Sequence, residues 1–141
     1  MKITILCVGK IKEKYLDDGV KEFLKRLSAF CDVSIIELKD EGLKKESLKI
    51  SEYLSSTTFL LDELGKEYSS KDFSKLFNSL EGEITFVIGG HDGISEDLKK
   101  EKKIKLLSLS KMTLTHEMAR LFLIEQIYRG FMILNNRKYH R

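Results

Sequence analysis

Three segments of this chain carry residue types suited to a ligand pocket: LLDELGK (Leu60–Lys66), VIGGHDG (Val87–Gly93) and LSKMTL (Leu109–Leu114). Each follows an apolar run, and ligands of parallel sheets sit beyond the carboxyl ends of the strands. Gly89 and Gly90 suit a close backbone approach by a ligand and tolerate positive φ, although a structural turn needs glycine for the same reason. GGHDG is not a Walker loop, because no Gly-Lys-Ser/Thr follows, and it is not Gly-x-Gly-x-x-Gly. The third segment has Ser, Lys and Thr but no Gly and no Pro. Phosphate-cradling loops are usually built on glycine, so composition alone does not say what this loop holds.

No nucleophile–base pair stands out. Ser108 and Ser110 lack the flanking glycines of a nucleophile elbow. His116 opens the last helix, where it is a candidate proton acceptor or else a cap or a hydrogen-bonded core residue. Glu125 and Arg129 have the i, i+4 spacing of a helical ion pair. In an apolar helix such a pair suits a site or an interface, and equally a solvated surface. His91, His116 and His140 have no metal-ligand spacing, which predicts no metal and in particular no zinc.

The elements that position these residues alternate along the chain. Lys2–Val8 reads as a buried strand, and Glu13–Phe30 has apolar residues at helical spacing. Asp32–Leu38 is a second strand. Lys44–Leu54 is a polar helix with Leu48 and Tyr53 as its expected anchors. Thr57–Glu63 is a third strand. Ser69–Leu80 is a helix capped by Ser69 or Ser70, with Phe73, Leu76, Phe77 and Leu80 as its stripe. Glu83–Gly90, a short helix at Ser95–Glu101, and the strand Lys103–Leu109 follow. Thr115–Leu134 is the longest helix. It carries more apolar surface than one core-facing stripe requires, which fits deep burial inside the monomer or, the favoured reading, a subunit interface. Five strands with intervening helices predict one α/β domain over residues 1–141 with a mostly parallel sheet.

Composition narrows the function classes. The chain is 42% hydrophobic and 33% charged, enough for a core and a solvated surface. Its net charge of +3, from 25 basic and 22 acidic residues, is not that of a nucleic-acid-coating protein. Any RNA surface must come from local clustering. The apolar run at MKITILCVGK is too short to span a membrane and reads as a strand. Cys7 and Cys31, without export features, fit a reducing, cytoplasmic compartment and two unpaired thiols. Local charge gathers in KKEKKIK (Lys99–Lys105), read first as a solvated helix face. It gathers again after Arg129, where Arg137, Lys138 and Arg141 stand without an acidic residue and Tyr139 and His140 lie among them. Cations for phosphates and rings for base stacking suit an RNA-binding end, and a frayed solvated tail has the same composition.

Taken together, MKITILCVGKIKEKY, LDELGKEYSSKDF, FVIGGHDG and LSLSKMTLTHEMARLFLIEQIYRGFMILNNRKYHR resemble, in order and over essentially the whole chain, the ribosomal RNA large subunit methyltransferase H family of the SPOUT superfamily. The resemblance implies an α/β domain with a C-terminal trefoil knot that works as a homodimer. It implies transfer of a methyl group from S-adenosylmethionine to N3 of a pseudouridine in 23S rRNA, on the assembled ribosome. It places the cofactor at Leu61, Gly89, Leu109, Ser110, Lys111, Met112, Thr113 and Leu114. N3 carries a proton that must leave, and His116, Glu125 and His140 are candidate bases, with Arg129 and Arg141 as electrostatic partners. Tyr139, His140 and Arg141 are assigned to RNA, acting across the dimer. The chain departs from the family at Thr115, where relatives have Pro, at Asn135–Asn136, where they have Gly, and in a shorter segment after the second strand. A non-enzymatic RNA-binding or ribosome-assembly factor is the alternative, and a flavodoxin-like nucleotide binder is a weaker one.

Overall fold

The computed structural model describes residues 1–140; the expectation for Arg141 falls outside the described residues. Five strands, β1 (Lys2–Val8), β2 (Asp32–Leu38), β3 (Thr57–Glu67), β4 (Glu83–Ile88) and β5 (Ile104–Ser108), form one sheet in the order β2-β1-β4-β3-β5. Every neighbouring pair is parallel, so the sheet is wholly rather than mostly parallel. The helices are α1 (Lys14–Leu27), α2 (Leu43–Ser51), α3 (Ser70–Ser79), α4 (Glu96–Lys99) and α5 (His116–Leu134).

The continuous apolar runs of β1 and β4 follow from burial on both faces. Alternate residues point to opposite sides of a strand. Ile3, Ile5 and Cys7 of β1 join Ile84, Phe86 and Ile88 of β4 in a core shared with Phe73 and Phe77 of α3 and Leu123, Ile124 and Ile127 of α5. Leu6, Val8 and Val87 face the other way, against Ile50 of α2 and Leu98 of α4. The result is a three-layer α/β/α stack. Side chains close the helix starts: Ser69 accepts from the Asp72 N–H (3.0 Å), Ser95 from Leu98 (3.3 Å) and Thr115 from Met118 (3.1 Å). Thr115 is therefore the cap of α5, and His116 is its first residue.

One expected face is wrong. Leu48 and Tyr53 are exposed, and the anchors of α2 are Ile50 and Glu46, four residues apart. The helix ends at Ser51, before Tyr53. Glu46 tolerates burial because its Oε2 accepts the Gly42 N–H (2.6 Å) and closes the helix start. Burial pushes its carboxyl pKa up.

β3 runs past its expected end because it bulges. Leu61 and Lys66 both pair with Leu107, so Asp62–Gly65 loops out of the ladder. Gly65 closes that loop directly on β5: a Cβ there would lie 2.6 Å from the Leu106 carbonyl carbon. Backbone cannot yield as a side chain does, so Gly65→Ala is expected to cost about 1–3 kcal/mol by overpacking. Thermal and urea unfolding measure it, and an unchanged stability would contradict the close approach.

Candidate functional site

The carboxyl ends of β3, β4 and β5 surround a cavity of about 320 Å³, within the usual range for small-molecule sites. β3 supplies Leu61, Asp62 and Glu63, and β4 leads to Gly89, Gly90 and His91. The β5–α5 loop supplies Leu109, Ser110, Met112, Thr113 and Leu114, and α5 adds His116 and Ala119. All the residues expected to hold the cofactor therefore meet here except Lys111. That side chain is exposed and lies 3.9 Å from Glu67.

The Ser/Thr loop needs no glycine because its side chains hold its own turn. The Ser108 hydroxyl donates to Ser110 O (2.9 Å), and the Ser110 hydroxyl accepts from Met112 N–H (3.0 Å). The Thr113 hydroxyl donates to Glu63 (3.0 Å), tying the loop to the β3 bulge.

Gly89 and Gly90 line the cavity and also close a turn, the structural role that glycine equally allows. Neither has positive φ; Gly93 does, at 74°. A Cβ on Gly89 would lie 2.7 Å from Gly93 O, and one on Gly90 would lie 2.7 Å from Val8 Cγ1. These glycines let the chain fold against itself, with Gly90 bridged to Gly93. A large side chain at Gly89 would distort the cavity wall rather than simply fill the cavity.

His116 stands where the cavity meets the β1–α1 loop. Its ring packs on Gly9, and its buried Nδ1 has no hydrogen-bond partner among the described residues. His116 also lines the cavity, so a polar group bound there would lie close to its ring. The first turns of α5 pin the loop beside it. Glu117 accepts the N–H groups of Lys12 (2.7 Å) and Glu13 (3.1 Å), which hold its carboxyl below the usual range, the Glu13 bond most strongly. Arg120 donates to Gly9 O (3.0 Å) and to Glu37 (2.8 Å).

The thiols are poor nucleophiles. Burial pushes Cys7 up to about 12 and Cys31 up to about 11, and both are free. Among the described residues, no group of three or more His, Cys, Asp or Glu side chains is placed to hold a metal. No described helix is long and apolar enough to cross a membrane.

The tail is ordered against α5 instead of frayed. Arg129 makes two bonds to Glu125 Oε1 (2.6 and 3.1 Å), and Tyr139 donates to the same oxygen (3.0 Å). Gln126 donates to Glu125 Oε2 (2.9 Å). Arg129 also reaches His140 Nδ1 (3.1 Å) and lies over the Tyr139 ring, 4.8 Å from its centroid. Hydrogen bonding to Glu125 raises the Arg129 pKa, and burial raises that of Tyr139. The Glu125–Arg129 pair is thus half-buried, not a solvated pair. None of these residues lines the cavity. Glu125 is nine residues along α5 from His116, about 13 Å of helix rise.

Asp62, Lys99 and Arg120 were not singled out from the sequence. Lys99 lay inside a run read as solvated, yet its ammonium meets Asp62 at the cavity wall (2.7 Å). Arg120 was hidden by its apolar neighbours in α5, although an arginine amid such residues is itself a signal of pairing.

Known proteins give the geometry a family. The profile of the family described as "Predicted SPOUT methyltransferase" matches residues 1–140. The chain belongs to the SPOUT methyltransferase family. Within it, the ribosomal RNA large subunit methyltransferase H of Fusobacterium nucleatum is 42% identical over the full length of both chains. The proteins of that name from Desulforamulus reducens and Acetivibrio thermocellus are each 41% identical, over all of this chain and 99% and 100% of theirs. A solved probable methylase family protein from Haemophilus influenzae superposes with a TM-score of 0.60 at 9% identity, over 99% of this chain and 70% of that one, a likeness of fold. In this SPOUT methyltransferase the cavity and the basic tail lie at separate places on one chain.

Proposed function

We propose that this SPOUT methyltransferase moves a methyl group from S-adenosylmethionine to N3 of a pseudouridine in 23S rRNA, on the assembled ribosome and in the cytoplasm. The observation that carries the reading is the meeting of Leu61, Gly89 and the Leu109–Leu114 loop at one cavity. Leu61, Leu109 and Leu114 offer apolar surface to an adenine, and the self-supporting loop leaves backbone groups for its edge. Relatives more than 40% identical are named for methylation of large-subunit rRNA.

When bound, S-adenosylmethionine supplies an electrophilic methyl carbon. The protein aligns the acceptor nitrogen with it and favours loss of the N3 proton. Glu125 is a poor base, because both its oxygens already accept hydrogen bonds from Arg129, Tyr139 and Gln126. It organises the tail. Arg129 supplies positive charge that favours the deprotonated imide. His116, which lines the cavity and whose ring is not bound by a carboxylate among the described residues, is the better-placed proton acceptor.

The distance between the cavity and the tail supports a reading in which a second copy brings its tail to the cavity. Met118, Phe122, Glu125 and Arg129 share one side of α5, and Phe122 is exposed on it. We assign this side to the homodimer. Phe122→Glu is expected to convert dimers to monomers in size-exclusion chromatography with light scattering. Cofactor affinity should stay within about twofold, the change of a site with no contact to the mutated residue. A dimeric variant would move the interface elsewhere.

The decisive assay incubates the protein with S-adenosylmethionine and ribosomes that lack the modification. Nuclease digestion and mass spectrometry then score methylpseudouridine. Its appearance supports the enzyme. Ribosome binding without any methylated product would support the RNA-binding or assembly factor.

A further inference from the structure

We infer that Asp62 and Lys99 form the subsite for the amino-acid end of the methyl donor, a zwitterion of one ammonium and one carboxylate. The inference rests on S-adenosylmethionine being the donor. The loop and apolar side chains described above serve an adenosine, but they offer no charge to the other end of the molecule. Lys99 is the one Lys or Arg among the described cavity-lining residues. It stands 2.7 Å from Asp62, and the two side chains are 22% and 11% exposed. An ion pair taken this far out of water is weak evidence of stabilisation, since desolvation offsets the attraction. A zwitterion has its two charges close together, so its recognition needs a cation and an anion that are neighbours.

The hydrogen-bond capacity fits. The Lys99 ammonium has three donors. It uses one on Asp62 Oδ2, and Glu96 lies at 3.4 Å on an exposed rim. A donor remains for a carboxylate. The Asp62 Oδ1 atom accepts the Leu64 N–H (2.8 Å), which fixes the carboxylate's orientation and leaves Oδ2 able to accept from an ammonium. Glu63, the other carboxylate at the wall, is exposed to water, turns one oxygen to Thr113 and has no cation of the cavity beside it. The zwitterion would lie beside the pair in alternating charge without breaking it. Asp62 also adjoins Leu61, so the subsite continues the cavity.

The test uses two ligands that share the adenosine and the sulfur. S-adenosylhomocysteine has the amino-acid end, and methylthioadenosine lacks it. Calorimetric titrations on the wild type should show the first binding more tightly. Lys99→Met is expected to weaken S-adenosylhomocysteine about 10- to 100-fold, the loss of a charged hydrogen bond. Methylthioadenosine should stay within about twofold, because it never meets the subsite. Lys99→Arg should retain most of the affinity. Asp62→Asn, nearly the same shape, repeats the test if Lys99→Met fails to fold. Equal weakening of both ligands would make the pair a structural clip between α4 and β3, and unchanged S-adenosylhomocysteine affinity would place the amino-acid end elsewhere. Either result overturns the inference. A wild type that binds neither ligand would overturn the donor reading itself.

Discussion

Deleting Tyr139, His140 and Arg141 is expected to lower methyl transfer by about 100-fold or more, the scale of lost positioning and proton-transfer groups, while cofactor affinity stays within about twofold. The physical reason is the layout of α5. Its first turn lines the cavity with His116 and Ala119, and its later turns carry Glu125 and Arg129, on which Tyr139 and His140 rest. A deletion at the tail leaves every cavity-lining residue in place. It removes the rings and cations that would hold the target nucleotide.

Mixed dimers tell where the tail acts. One chain carries the deletion and the other carries Gly89→Leu, which distorts the cavity wall. If the tail serves the partner's cavity, each heterodimer keeps one complete site, and an equal mixture recovers about a quarter of wild-type activity through random pairing. If the tail serves its own chain, no heterodimer has a complete site and the mixture stays inactive. Recovery near zero would therefore return the tail to its own chain. A deletion that left methyl transfer unchanged would remove it from the reaction.

The apolar run of β1 shows its ends plainly, because all but its first residue are buried, on both faces. The helix starts at Ser69, Ser95 and Thr115 follow from the hydroxyl that each needs at its cap. What stayed hidden has a common cause: pairing across distant segments. The polar α2 conceals Glu46 because its burial depends on a local bond to Gly42, not on the periodicity of Leu48. Lys99 looks solvated in KKEKKIK until the β3 bulge brings Asp62 to it. The second role of the glycines at 89 and 90, making room for the return of Gly93 and the side chain of Val8, depends on such packing too. The separation of tail from cavity is equally invisible in composition, as is any threading of the chain. The family resemblance named segments for cofactor and for RNA, and only the geometry shows that they divide into two places.

Glu37→Leu is expected to destabilise the protein by about 3–5 kcal/mol, the cost of leaving a buried charge without its partner. Arg120→Met is expected to cost less, about 1–3 kcal/mol, through lost hydrogen bonds. The asymmetry comes from where the two groups sit. The Arg120 side chain is 4% exposed and that of Glu37 is 37% exposed. Without Arg120, the Glu37 carboxylate still reaches water. Without Glu37, the guanidinium keeps Gly9 O as a single strong acceptor, and its Nε already has none among the described residues. It cannot shed its charge, because arginine stays protonated. The double variant should recover much of the loss, since it leaves no charge buried, and urea unfolding of all four proteins yields the coupling energy. A Glu37→Leu cost equal to or below that of Arg120→Met would mean that the guanidinium finds solvent. The same cycle bears on the site. Arg120 holds Gly9 against the His116 ring, so Arg120→Met should also loosen the β1–α1 loop and raise amide exchange at Lys10 and Ile11. Exchange there that matched the wild type would leave Glu117, through Lys12 and Glu13, and the Gly9 N–H bond to Leu38 O (2.8 Å) holding the loop beside the cavity.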